Sequence, residues 1–147
     1  MPCITVSNGQ YGPTLNVLIG PSLPLQQVLQ AAGQPVPPPV SVVLLVDTGA
    51  TLTVVDAALI QPLGVNPTGA VMIHTPSTAG NPVSMPQYDL MIYVPGAPNS
   101  QGWLIDSIPV TGGSFAGQAI NGLIGRDIID RGLLVYNGQS GHFTLAY

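Results

Sequence analysis

The chain has 147 residues, of which 46% are apolar, and its formal net charge is −4. Its two basic residues cannot neutralise a run of phosphates, so we expect no nucleic-acid partner. A charged fraction of 5% lies far below the roughly 25% of ordinary soluble domains. We therefore expect another subunit or a ligand to cover part of the surface. The alternative is a monomer whose surface is polar but uncharged.

The length fits one domain, residues 1–147, with enough apolar residues for one core. Cys3 is the single cysteine, which rules out an intrachain disulfide and a thiolate zinc site. The chain starts without the basic segment and long apolar run of a secretory signal, and its longest apolar stretch is too short for a bilayer. These features predict a cytoplasmic protein without a membrane partner, although removal of a leader would leave the same start.

The first forty residues combine several kinds of element. Two short β-like runs come first, and the apolar spacing after Ser22 then predicts a helix that ends at Gly33. The proline-rich residues 34–39 must be extended, because proline fixes φ and disfavours helix in the residue before it. We interpret residues 1–40 as N-terminal strands with a helical insertion and a rigid connector, placed before a core of residues 41–147.

The core begins with a strand that ends in an acidic residue. Ser41–Val46 is a run of β-formers without alternation, which is typical of a strand buried on both faces, and it leads directly into Asp47. A second strand is predicted for Thr51–Val55. Asp56 then has the position of an N-cap for a short helix that runs to Ile60.

The second half of the chain is predicted to form strands and one short helix. Residues 70–95 predict a long hairpin with a tip of small residues, and more strand material follows before a glycine-rich loop at 112–117. A short helix is predicted between Gly125 and Gly132, with a closing hairpin after it. His74 and His142 lie on strands far apart in sequence, and we interpret both as ordinary surface or core histidines.

Asp47 is the main candidate for chemistry. It ends a buried apolar strand, where an isolated carboxylate is costly to ionise, and Gly49 allows a tight loop after it. The hydroxyl of Thr48 can reach the neighbouring backbone. A carboxylate that leaves the core on a tight loop is placed to act on a ligand. The alternative is a structural aspartate in an Asx-turn, which is common where strands end.

Two motifs together resemble one protease family. The segment Leu45-Val46-Asp47-Thr48-Gly49-Ala50 is similar to the active-site loop of the retropepsin-like (retroviral-type) aspartic proteases. The segment Leu123-Ile124-Gly125-Arg126-Asp127 resembles the second signature of that family, at the start of a helix. The hairpin between them lies where the family has its flap. The resemblance covers about residues 41–147.

The resemblance implies a mostly β fold: a closed β-barrel, half of an acid protease, with one or two short helices. It also implies peptide hydrolysis by two aspartates about 3 Å apart that share one proton. This chain has one Asp-Thr-Gly sequence and is about half the length that a two-lobed enzyme needs. The second aspartate must therefore come from a second copy, so the expected partners are the chain itself and a peptide or protein substrate. The mechanism requires no metal and no cofactor.

The resemblance also implies roles for individual residues. The residues that support the active-site loop are Thr48, Gly49 and Ala50. The residues that contact substrate are Gly49, Val54, Ser77, Thr78, Ala79, Gly80 and Leu123. Arg126 and Asp127 have a structural role near the dimer interface. Because Thr51 stands where the family often has an acid, the ion-pair partner of Arg126 stays open between Asp127, Asp130 and the other subunit; alternatively, Arg126 is a surface arginine paired with Asp130.

Two other functions compete with proteolysis. The same dimer could bind an extended peptide without cleaving it, as a non-catalytic peptide-binding module. A structural or adhesive β domain would account for the uncharged surface and the many turns, but it would leave the two motifs as a coincidence. The intact Asp47-Thr48-Gly49-Ala50 sequence favours the protease, with a preference for apolar residues around the scissile bond.

Overall fold

The structure is a computed structural model that describes residues 1–147, except for the side chain of Ser77. The described strands are β1 (Cys3–Ser7), β2 (Thr14–Pro21), β3 (Val40–Val46), β4 (Val54–Asp56), β5 (Gly69–Ile73), β6 (Val83–Val94), β7 (Trp103–Gly113), β8 (Gly122–Ile124), β9 (Leu133–Asn137) and β10 (His142–Ala146). The described helices are α1 (Leu23–Ala31), α2 (Ala57–Ile60) and α3 (Arg126–Ile129), with 3₁₀ turns at Gln61–Leu63 and Pro76–Thr78.

Six strands close into a barrel in the order β2-β3-β8-β4-β7-β6, and β6 pairs back onto β2. The pairs β3–β8 and β4–β7 are parallel, and the other barrel pairs are antiparallel. β5 pairs with β6 and extends the sheet beyond the barrel as a two-stranded hairpin. The structure therefore confirms the prediction of a mostly β fold with a closed barrel and few short helices.

The apolar interior of the barrel follows from strand alternation. In β3, Val42, Leu44 and Val46 are buried, while the side chains between them are half-buried. The prediction of a strand buried on both faces was therefore wrong in part, because only one face is fully buried. The N–H of Val46 donates to the carbonyl of Pro13 at 2.8 Å, which continues the pairing of β3 with β2 to the end of the strand.

Two predicted boundaries were wrong, for different reasons. The strand predicted for Thr51–Val55 begins only at Val54, because the backbone N–H of Thr53 is bonded to a side chain. Gly112 belongs to β7 and not to a loop, since it pairs with Val55 of β4. A Cβ at Gly112 would lie 2.8 Å from the Tyr88 ring, so glycine is needed there for close packing and not for a flexible loop.

The predicted helix after Ser22 is present as α1. The Ser22 side chain accepts a hydrogen bond from the N–H of Leu25 at 3.4 Å, and Gly33 follows the helix with φ +67°. Residues 34–39 have no regular secondary structure. Among the helices that the structure describes, none has the length and apolarity needed to span a membrane.

Both chain ends meet in a separate three-stranded sheet, in the order β1-β10-β9. Its inner face packs on the barrel core through Ile4, Val6, Phe143 and Leu145. The C-terminal residue closes this sheet against the barrel. The Tyr147 ring stacks on Trp103 with centroids 5.0 Å apart, and its hydroxyl donates to the carbonyl of Gln101 at 2.8 Å. Burial, followed by the nearby Tyr93 and Cys3, raises the pKa of the Tyr147 hydroxyl.

Candidate active site

Asp47 lies at the point where β3 leaves the barrel. Its N–H donates to the carbonyl of Ile124 at 3.0 Å, and its side chain is half-buried. One carboxylate oxygen, Oδ1, accepts a hydrogen bond from the N–H of Gly49 at 2.8 Å. This bond is the Asx-turn considered from the sequence, and it holds the carboxylate in place. Within the described residues, the other oxygen has no donor, so the carboxylate can still act on a ligand.

The parallel pairing of β3 with β8 brings the two sequence motifs together. Val46 lies opposite Ile124, so both strands end at the same edge of the barrel. The loop after β3 is then fixed to the start of α3. The N–H of Arg126 donates to the carbonyl of Ala50 at 2.9 Å, and that of Asp127 donates to the carbonyl of Thr51 at 3.3 Å.

The Asp127 side chain holds this loop through hydrogen bonds to Thr53. Its two carboxylate oxygens accept hydrogen bonds from the backbone N–H and the hydroxyl of Thr53, at 2.9 and 2.7 Å. The same hydroxyl accepts from the N–H of Gly125 at 3.1 Å. Thr53 is fully buried, so this network satisfies groups that have no access to water. No role was predicted for Thr53, whose only signal in the sequence is a hydroxyl residue directly before the two β-formers Val54 and Val55.

The Arg126 side chain also forms hydrogen bonds to the loop. Its guanidinium donates to the carbonyl of Thr48 and to the hydroxyl of Thr51, each at 3.2 Å. Thr51, at the position where the family often has an acid, is thus one of its partners. Within the part of the chain that the structure describes, Arg126 forms no ion pair with Asp127 or Asp130. Of the partners that the sequence left open, neither acid pairs with Arg126 in the single chain, and a partner in a second subunit stays a prediction.

A cleft of about 570 Å³ opens beside Asp47. Its walls come from the Asp47 loop, from Val54 and Leu123 on the barrel, and from residues 71–76 of the hairpin. The lining residues are Asp47, Gly49, Ala50, Thr51, Leu52, Val54, Val71, Met72, Ile73, His74, Thr75, Pro76 and Leu123. Asp47 is the one carboxylate among them, and most of the others are apolar.

The cleft brings together some of the predicted substrate residues and leaves out others. Gly49, Val54 and Leu123 line it together with Asp47. Thr78, Ala79 and Gly80 lie at the hairpin tip and do not line the cleft of the single chain. The side chain of Ser77 lies outside the described residues. The contact of residues 77–80 with substrate therefore stays a prediction.

The architecture was compared with those of known proteins. No protein-family profile and no curated protein matches the chain. A solved structure does match over 99% of this chain and 91% of its own, with a TM-score of 0.62 and 16% sequence identity. It is the crystal structure of a retropepsin-like aspartic protease from Rickettsia conorii. The chain has a retropepsin-like fold.

Within this retropepsin-like fold, the remaining polar candidates have structural or peripheral positions. Asp56 caps α2 as predicted, because it accepts from the N–H of Ala58 at 3.0 Å. His74, interpreted from the sequence as an ordinary surface or core histidine, is exposed and lines the cleft. His142 lies on the terminal sheet, exposed. No cluster of three or more metal-ligating side chains occurs among the described residues.

Proposed function

We propose that the chain is an aspartic endopeptidase that hydrolyses peptide bonds as a homodimer. One observation carries this proposal: the Asp47 carboxylate ends a buried strand and opens onto an apolar cleft, on a loop held by α3. A loop fixed by long-range hydrogen bonds can hold a catalytic group within the narrow geometry that proton transfer requires. The retropepsin-like fold of the whole chain supports the same function.

The need for a second copy comes from counting the available carboxylates. Peptide hydrolysis by this chemistry uses two aspartates that share a proton, since two negative charges about 3 Å apart cannot both form readily. Among the described residues that line the cleft, Asp47 is the only acidic one. Asp127 is engaged by Thr53, and Asp56 by the N-terminus of α2. A second Asp47 is therefore the group that completes the pair.

In this pair the ionised Asp47 acts as a general base on a water molecule. The water oxygen attacks the peptide carbonyl carbon while the protonated Asp47 of the other copy donates a hydrogen bond to the carbonyl oxygen. The tetrahedral intermediate then breaks its C–N bond, and a proton passes from a carboxyl group to the leaving nitrogen. The products are a carboxylic acid and an amine, and the shared proton returns to the pair.

The walls of the cleft favour apolar side chains in the substrate. Leu52, Val54, Ile73 and Leu123 line it, and burial of substrate methyl groups against them contributes about 0.8 kcal/mol per CH₂. The hairpin strand β5 forms one wall of the cleft, where an extended peptide can bind by strand addition. We therefore propose that the enzyme prefers apolar residues on both sides of the scissile bond.

The decisive experiment compares Asp47→Asn with the wild-type chain on a pool of apolar peptides between pH 4 and pH 7. Loss of the general base is expected to lower cleavage by roughly 10²–10⁴-fold or more, with the fold unchanged by circular dichroism. Asp106→Asn is the matched control, because Asp106 is exposed on β7 and is absent from the cleft lining. Activity per chain is expected to fall on dilution, since mass action dissociates a dimer.

The same assay separates the alternative functions. Peptides that bind to both proteins without cleavage would identify a binding module of the same fold. Neither binding nor cleavage would indicate a structural domain. Equal cleavage by the Asp47→Asn and wild-type proteins would contradict the proposed mechanism.

A further inference from the structure

His74 is the one basic side chain among the described residues that line the cleft. It is exposed and belongs to the hairpin wall, whereas Asp47 belongs to the loop wall. The other polar side chains of the lining, those of Thr51 and Thr75, carry no charge. The proposed chemistry uses Asp47 alone, so it gives His74 no task.

Hydrogen bonds order the backbone on both sides of His74. Before it, Ile73 is the last residue of β5 and pairs with Val83 of β6. After it, the N–H of Thr75 donates to the hydroxyl of Thr78 at 3.2 Å, and that hydroxyl donates to the carbonyl of Thr75 at 2.8 Å. His74 therefore keeps a defined position on the hairpin and moves together with it.

The rest of the chain offers the cleft no second positive side chain. The sequence has no lysine and two arginines. The guanidinium of Arg126 is bonded to the loop that follows β3, and Nε of Arg131 donates to the carbonyl of Asp127 at 2.9 Å. Neither arginine belongs to the cleft lining. In the part of the chain that the structure describes, a peptide in the cleft can thus meet a positive side chain only at His74.

Negative charge is scarce around His74. Residues 69–88 contain no charged residue, and the nearest acid along β6 is Asp89. The barrel wall of the cleft is apolar, and Asp47 on the loop is the one acid in the described lining. A substrate carboxylate next to the scissile bond would be repelled by Asp47, whereas one closer to the hairpin would be attracted by His74. Because the chain as a whole is negative, such an attraction must be local.

We propose that His74 selects peptides that have an acidic side chain, aspartate or glutamate, at a position removed from the scissile bond. The protonated imidazole donates a charge-assisted hydrogen bond to the substrate carboxylate. This inference rests on the proposed function, because it takes a peptide to be the occupant of the cleft. It adds one charged subsite to the apolar preference next to the scissile bond. In the proposed homodimer each copy has its own His74, so the test covers positions on both sides of that bond.

A single glutamate moved through a cleaved peptide, one position at a time, tests this inference. Each glutamate peptide is compared with its glutamine counterpart, which has a similar shape and no charge. At a favoured position and pH 5.5, kcat/KM is expected to be about fivefold higher for glutamate, since ion pairs of exposed side chains are weak. This ratio should fall to about one in His74→Gln. His142→Gln is the matched control, because His142 is the other histidine of the chain and is exposed on the terminal sheet.

The pH dependence of binding shows whether charge carries the preference. Binding of the two peptides to the Asp47→Asn protein, measured by fluorescence anisotropy, requires no turnover. Histidine side chains change charge between about pH 5 and pH 8, and glutamate side chains are ionised above about pH 4.3. The preference for glutamate should therefore be largest near pH 5.5 and should disappear by pH 8. His74→Lys in the same Asp47→Asn background keeps its positive charge and should retain the preference at pH 8.

Binding and cleavage together separate this inference from the proposed function. A preference for glutamate in binding that depends on His74, in a protein that cleaves no peptide, would support the acidic subsite and count against the protease. Cleavage that depends on Asp47 but is equal for glutamate and glutamine at every position would support the protease and reject the role of His74. A glutamate preference that persists in His74→Gln, or an equal loss of cleavage of both peptides in that variant, would also reject it.

Discussion

The Asp47 loop and the tip of the hairpin are held in different ways. The loop is tied to residues more than 70 positions away, through Thr53, Gly125 and Asp127, and Thr53 is fully buried. Hydrogen bonds along the hairpin tip connect near neighbours: the N–H of Thr78 donates to the carbonyl of Thr75, and the N–H of Asn81 donates to the carbonyl of Thr78. The tip also has two successive residues with positive φ, Ala79 at +49° and Gly80 at +81°.

This difference matches the two tasks that the proposed function assigns to these segments. A catalytic carboxylate must stay in one position, and buried long-range hydrogen bonds open only when a large part of the barrel opens. A segment that closes over a substrate must change position at a small free-energy cost, and local hydrogen bonds in an exposed hairpin permit this. We therefore expect equivalent substitutions to cost much more stability at the loop than at the tip.

The largest effect is expected at Gly125. A Cβ there would lie 2.9 Å from the amide nitrogen of Thr53 and would also meet the backbone of Leu52, which cannot move aside as a side chain can. Gly125→Ala should lower the free energy of unfolding by about 3 kcal/mol or more, as measured by urea denaturation. Gly138→Ala is the control, since its Cβ would have an ordinary contact of 3.5 Å with Tyr136. Equal free energies of unfolding for the two variants would show that the backbone of Leu52 and Thr53 can move aside at little cost.

A smaller loss is expected from Thr53→Val, which keeps the shape and removes the hydroxyl. The N–H of Gly125 would lose its acceptor in a buried position, at a cost of about 1–3 kcal/mol. Thr53→Ser keeps the hydroxyl and should retain most of the loop geometry. Under the proposed function, Thr53→Val should lower kcat more than it changes KM, because the position of Asp47 is altered. A normal kcat in Thr53→Val would mean that Asp127 holds the loop alone.

Local patterns predicted much of this architecture. The helix after Ser22, the cap at Asp56 and the closing hairpin all depend on neighbouring residues, and the structure contains each of them. The two motifs that contain Asp47 and Arg126 were identified through their family resemblance. Their contact in space then follows from the parallel pairing of β3 with β8.

Long-range pairing was harder to predict. Thr53 is an ordinary β-former in sequence, and its partner Asp127 lies 74 positions away, so no local pattern joins them. The pairing of β1 with β10 joins Thr5 to Thr144 across 139 positions, and the sequence left the role of the first strands open. The partners of Arg126 were missed because one of them, the Thr48 carbonyl, is a backbone group that any sequence provides.

The smallest effect is expected from Gly80→Ala at the hairpin tip, compared with Gly64→Ala. Both glycines have positive φ, +81° and +63°, and an added Cβ at either site meets nothing within 4 Å. The intrinsic cost of alanine in this conformation is therefore similar, about 1–2 kcal/mol. At Gly64, which follows the buried Leu63, that cost should appear in full in the global free energy of unfolding. At Gly80 it should be below about 1 kcal/mol, because the tip can relax locally while the barrel stays folded. Equal losses in the free energy of unfolding would mean that the tip unfolds together with the barrel, so that its stability would not differ from that of the Asp47 loop. An increase in KM for peptides in Gly80→Ala alone would mean that the tip acts on the substrate.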